Sequence, residues 1–155
     1  MKVLELYYKG VKNLEKLKDI PLLLIRLVLA YGFYVPAKMK WSDINSIIDW
    51  FKTLHVPAPA LNAYMAATTE AAGVVLLVLG LGTRIISIPL TVVMLVAIKT
   101  VHWNNGFDAG ENGFEIPLYY LIMLLLLLIY GPGRISLDNL IGRKAQDSRA
   151  LVLGE

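Results

Sequence analysis

Residues 22–35 read LLLIRLVLAYGFYV, an apolar run broken by a single charge, Arg26. Extended back to Ile20-Pro21 and forward to about Lys38, it matches the roughly 20 mostly apolar residues that cross a hydrocarbon layer. Pro21 suits the first turn of a helix, where a missing N–H costs nothing. Three more stretches have the same character: Pro59 to Leu81 (with ALNAYMAATTEAAGVVLLVLGL), Arg84 to Trp103 (with IISIPLTVVMLVAIKTVHW), and Glu115 to Tyr130, ending in LIMLLLLLIY. Gly131-Pro132-Gly133 closes the last one abruptly. Pro89, inside the third, reads as a kink, because neighbours in a membrane bundle can satisfy the carbonyl it frees.

Composition agrees with these runs. Of 155 residues, 57% are hydrophobic and 17% charged, with a mean hydropathy of +0.60; soluble domains carry about 45–50% and 25%. A net charge of +3 is too small and scattered for a nucleic-acid-binding surface. The absence of cysteine excludes disulfide relays, iron–sulfur clusters and zinc fingers. The expected architecture is all-α: an integral membrane four-helix bundle with one or two interfacial amphipathic helices.

Flanking charges set the topology. Lys2, Lys9, Lys12, Lys16 and Lys18 precede the first span, Arg84 follows the second, and Arg134, Arg143, Lys144 and Arg149 follow the fourth. The loop between spans three and four carries Asp108, Glu111 and Glu115. Both termini are therefore expected in the cytoplasm. Lys38, Lys40 and Lys52 run against this pattern, beside Asp43 and Asp49. Arg26 and the following Tyr-Gly-Phe-Tyr argue against a cleaved signal peptide. The domains read as a cytoplasmic amphipathic segment at 1–19, the membrane domain at 20–138 and a polar cytoplasmic tail at 139–155.

Residues 42–55 space Ile44, Ile47, Ile48, Phe51 and Leu54 three and four apart, predicting an amphipathic helix capped by Ser42 or Asp43. Trp41 and Trp50 suit headgroup depth. The N-terminal stretch repeats the pattern with Leu6, Val11, Leu14 and Leu17 opposite lysines. Either helix could lie on the membrane surface or pack on its own bundle. Asn-Gly-Phe occurs at 105–107 and 112–114, read as two turns.

Charges inside spans cost about 2.5–3.5 kcal/mol each and mostly face the bundle interior and pair. Arg26 lies roughly 9 Å and Glu70 about 16 Å from the cytoplasmic end, a difference that a guanidinium can largely cover. The expectation is an intramembrane ion pair, Arg26–Glu70, with snorkelling of Arg26 as the alternative. Ser87, Thr91, Leu95 and Lys99 form one row of span three, leading to His102. Glu115, Lys38, Tyr34 and Tyr31 reach the same outer level. Lys99, His102, Glu115, Tyr34 and Lys38 are thus a candidate ligand or proton site; the alternative is that they only anchor helix ends. One His and one Glu are too few for a metal site. Small residues of span two, from Ala66 to Gly80, permit close helix packing.

The pieces LLLIRLVLAYGFYVPAKMKW, VPAPALNAYMAATTEAAGVVLLVLGLGTR, VHWNNGF with the following Glu115-Ile-Pro, and GPGRISLD resemble the DoxX family of small four-span bacterial membrane proteins. The resemblance covers about residues 20 to 138. It implies a place among membrane proteins that include the quinone-reducing subunit of an archaeal thiosulfate:quinone oxidoreductase, members of redox complexes in oxidative-stress defence, and, more distantly, assembly factors. Without cysteine this chain cannot run dithiol–quinone chemistry, and it lacks a His pair for haem, since His55 and His102 lie in different segments.

Two functions follow as expectations. One is the membrane subunit of a redox-linked complex holding a quinone or small polar ligand near the outer face. The other is a non-catalytic scaffold or assembly factor that grips another membrane protein. A solute pathway through four short spans is a weaker third. Beyond membrane lipids, the expected partner is another protein subunit or a second copy of the chain, and not nucleic acid.

Overall fold

The computed structural model describes residues 17–144 together with Leu4, Tyr7, Tyr8, Gly10 and Val11. Most of the expected N-terminal amphipathic segment, and the polar tail from residue 145 on, lie outside the described residues.

The described chain is mostly helical, with no strand among the described residues. Helix α1 spans Asp19–Ser42, α2 Ile44–Thr53, α3 Pro59–Leu79, α4 Thr83–Ala97 and α5 Glu115–Tyr130. A last short helix covers 137–144. α1 packs chiefly on α3 and α4 on α5, while α3–α4 and α1–α5 contacts close the ring of four. Leu29, Phe33, Leu77, Leu90, Leu124 and Leu127 are fully buried at its centre. Much apolar surface points outward instead, as on Tyr31, Ile85 and Ile129, which is how a bundle solvated by lipid differs from one in water. α1, α3 and the run Thr83–Asn105 are long and apolar enough to cross a membrane. α5 has 16 residues, about 24 Å of helix.

α1 carries Pro36 without breaking and continues past Lys38 to Ser42. Its inward stripe is Arg26, Leu29, Ala30, Phe33, Ala37 and Lys40, the three- and four-residue rhythm of a buried helix face. The stripe of α3 is Ala63, Ala67, Glu70, Gly73 and Leu77. Each stripe therefore buries ionisable groups.

α2 takes Asp43 as its cap: the carboxylate accepts from the Ser46 N–H and hydroxyl. Those bonds hold the Asp43 carboxyl below the ordinary carboxylate range, the hydroxyl contributing most. The helix packs on α3 with Ile47 buried. Trp41 is more than a headgroup anchor, since its indole N–H donates to the Ala67 carbonyl at 3.2 Å.

α4 keeps Pro89 within a continuous helix and then loosens into a π-helical turn, Ile98–His102, and a 3₁₀ turn, Trp103–Asn105. The wider turn changes which side chains share a face. Lys99 turns out to solvent or lipid, while Thr100, Val101 and His102 turn toward the bundle.

Candidate functional site

α1 holds two buried cations on one stripe, about 21 Å apart along its axis, and each has a different solution. Arg26 is 1% exposed. Its Nε donates to the Leu77 carbonyl at 2.9 Å and Nη2 to Val78 at 3.0 Å. Nη1 donates to Pro132 at 2.9 Å and Ile135 at 2.7 Å. Leu77 and Val78 lie in the last turn of α3, where helix carbonyls lack intrahelical donors. Pro132 and Ile135 belong to the irregular segment after α5. The guanidinium thus ties three parts of the chain together at one end of the bundle.

The same end carries a second tie. The Asp138 carboxylate accepts from the N–H groups of Gly82 and Thr83 at 2.8 and 3.2 Å, capping α4 from across the chain. Gly80 sits between the two ties with φ +64°, and a Cβ there would stand 2.7 Å from Arg26. Both the left-handed backbone and the space exclude a side chain.

Arg26 therefore does not pair with Glu70, contrary to the sequence reading. Glu70 lies two turns back from Leu77, about 10 Å along α3, and the nearer carbonyls take the guanidinium donors. Glu70 pairs instead with Lys40, whose Nζ lies 3.0 and 2.9 Å from its two carboxylate oxygens. The side chains are 11% and 3% exposed. Charge neutralisation offsets the large desolvation penalty only because the geometry is close and bidentate.

The pair forms part of the wall of a cavity of about 250 Å³ between α1, α2, α4 and the start of α5. Around it stand Phe33, Trp50, Met94, His102 and Tyr120. Tyr120 meets Phe33 edge-on at 5.7 Å, and its hydroxyl end lies against Gly32, where a Cβ would overlap it. His102 Nδ1 is 2.8 Å from the Asn112 carbonyl. A carbonyl only accepts, so in the neutral ring Nδ1 carries the proton and Nε2 is left as acceptor. The cavity combines an apolar wall with a cation, a carboxylate, a phenol and an imidazole.

Of the outer cluster expected from sequence, His102 alone lines this cavity. Tyr34, Lys38 and Lys99 are exposed and outside its lining. Glu115 is turned to its own loop, accepting from the Ala109 N–H at 3.1 Å and the Tyr119 hydroxyl at 2.8 Å. Two cavity residues, Lys40 and Tyr120, escaped the sequence reading. Continuing the stripe from Arg26 through Phe33 and Ala37 would have reached Lys40.

The DoxX family model matches residues 21–103, from the first turn of α1 to the end of the π-helical turn. The chain belongs to the DoxX family. It is 32% identical over 131 residues to an uncharacterised protein of Haemophilus influenzae, covering 79% of this chain and 83% of that one. It is 30% identical over 131 residues to the inner membrane protein YphA of Escherichia coli, covering 79% and 91%. A Bacillus subtilis protein, CatD, whose name carries a provisional assignment as an oxidoreductase, is 29% identical over 127 residues, covering 81% and 90%. No solved structure matches the chain at a significant level. Lys40, Glu70 and His102 fall within the matched region of this DoxX family protein, and Tyr120 falls beyond it.

Proposed function

We propose that this DoxX family protein is the membrane subunit of a redox-linked complex in the bacterial inner membrane, and that its cavity receives a quinone head. The observation that carries the reading is the buried Lys40–Glu70 pair on the wall of an apolar cavity that Tyr120 and His102 also line. In this reading α1, α3, α4 with its following turns, and α5 cross the bilayer, with both termini cytoplasmic. Arg84, Arg134 and Arg143 then lie on the cytoplasmic side, and the cavity sits toward the outer face.

The residues divide the work by chemistry. Lys40 has three N–H donors, two of them used on Glu70, and the third is available to a carbonyl oxygen. Tyr120 can donate to a second oxygen. His102, whose imidazole has one donor and one acceptor nitrogen, can exchange protons with the outer aqueous phase, and Glu70 can accept one when the pair opens. Bound there, a quinone supplies a two-electron, two-proton acceptor, with the electrons delivered by a partner redox subunit. The name of CatD and the family resemblance support a redox role.

Trp50 lines the cavity, so tryptophan emission reports occupancy. Titrating a tail-less benzoquinone into protein in lipid nanodiscs should quench emission saturably. Tyr120→Phe and His102→Gln should each weaken binding by about 5- to 10-fold, as expected for one hydrogen bond, with the fold intact. Quenching that rises linearly with concentration, unaltered by either variant, would remove the quinone reading. A stable co-purifying membrane protein in that case would favour the scaffold function.

A further inference from the structure

A second cavity, of about 340 Å³, lies between α2, α3 and α4 on the neighbouring face of the bundle. Phe51 and Val96 line both cavities and so form the partition between them. Sequence neighbours divide across that partition on two helices: on α3 Glu70 faces the first cavity and Thr69 the second, and on α4 Met94 faces the first and Val93 the second. Among the described residues, none that lines the second cavity is charged. Met65, Ile88 and Val92 form part of its rim, each more than half exposed, so in a membrane it opens to lipid tails.

Size makes the two cavities complementary. At about 250 Å³ the first falls below the roughly 300–1,000 Å³ typical of small-molecule sites. It can take a single substituted ring and little else. A membrane-soluble ligand with a polar ring also carries a long apolar tail, and that tail needs an uncharged exit.

We propose that the second cavity is the tail site of the same ligand: an amphiphile whose ring lies against Lys40–Glu70 and whose prenyl-type tail passes the Phe51–Val96 partition and leaves between α3 and α4 over Met65 and Val92. The inference rests on the reading of the first cavity as a head site. It adds the class of ligand, long-tailed rather than water-soluble, and a direction of entry from the bilayer. Phe51 becomes the gate, since a ring that rotates about its side-chain bonds can open the partition without moving the helices.

The test uses a benzoquinone with a photoreactive diazirine on its second prenyl unit, applied to the full chain in nanodiscs and followed by peptide mapping. Labelling is expected within residues 61–69 and 88–96, suppressed by excess unlabelled quinone. Val92→Trp, which fills the cavity from its lipid side, should abolish that labelling while the tail-less ring still quenches tryptophan emission. Ala66→Phe should do the same from the α3 side. Label spread over the lipid-facing residues of all helices, insensitive to competitor, would overturn the tail site while leaving the head site standing. Failure of the tail-less ring to bind the native chain would overturn both.

Discussion

The two ends of α1 handle the same problem, a cation buried in a bundle, in opposite ways. At the Arg26 end the guanidinium is enclosed by four neutral carbonyls and the chain closes tightly over it. At the Lys40 end the ammonium is neutralised by Glu70 but stands on the wall of a cavity. A planar fork suits several fixed acceptors at once, whereas a compact ammonium is a point charge with rotatable donors. The first arrangement joins chain segments and commits four of its five N–H donors to them. The second keeps one donor and one carboxylate where a ligand can meet them. A buried charge in a membrane helix thus signals function only when its surroundings leave it something to do.

The largest effect that can break this contrast is removal of one member of the pair. Glu70→Ala should destabilise the protein by about 3–5 kcal/mol by leaving the Lys40 ammonium buried and unpaired. The double change Lys40→Met, Glu70→Leu should recover most of that loss. Unfolding in mixed micelles, run as a double-mutant cycle, measures the coupling; the same cycle on Arg26 and Glu70 should be additive within about 0.5 kcal/mol.

A somewhat smaller effect separates the ends. Arg26→Met should cost about 3 kcal/mol: the Leu77 carbonyl keeps the Gly80 N–H, and the other three carbonyls, in part-buried bonds, lose only part of the roughly 1–3 kcal/mol of a fully buried unmet group. Gly80→Ala should cost about 2 kcal/mol, from the left-handed backbone and the displaced guanidinium. Both variants should retain ring binding at the Lys40 end when assayed below their lowered unfolding transition. Loss of binding at full folding would mean that the two ends are coupled.

Much of the fold could be read from residue pattern, because apolar runs, flanking charges and Gly-Pro-Gly each have a direct physical meaning. The amphipathic helix with its Asp43 cap was equally legible. The site was less so, for reasons that differ by residue. By sequence Lys40 reads as a charge beyond the span, because Lys38 and Lys40 together resemble a membrane boundary; α1 runs on through them, and only the inward stripe distinguishes the two. Tyr120 lies in a helix apolar on nearly every side, so periodicity gives no hint of which face is inward. α-Helical spacing puts Lys99 and His102 on one face, and the π-helical turn separates them. The acceptors for Arg26 are main-chain carbonyls, which every residue has and no side chain advertises.

The smallest effect sharpens the account of α2, whose Trp50 and Phe51 line the cavity. Because Ser46 holds the Asp43 carboxyl below its ordinary range, this cap is in place above the ordinary carboxylate value and is lost as pH falls through the lowered one. Amide protection at Ser46, corrected for intrinsic exchange, should fall over that acidic interval. In Asp43→Asn it should not vary with pH there.

Infrared difference spectroscopy of a benzoquinone carrying a ¹³C-labelled carbonyl, bound to the protein in nanodiscs, tests the central claim most directly. A carbonyl that accepts from the Lys40 ammonium should absorb at lower frequency than the same quinone in protein-free lipid. The shift should disappear in the Lys40→Met, Glu70→Leu double variant, which keeps the fold but removes the charge. A carbonyl band at the lipid frequency in the native protein would contradict the account.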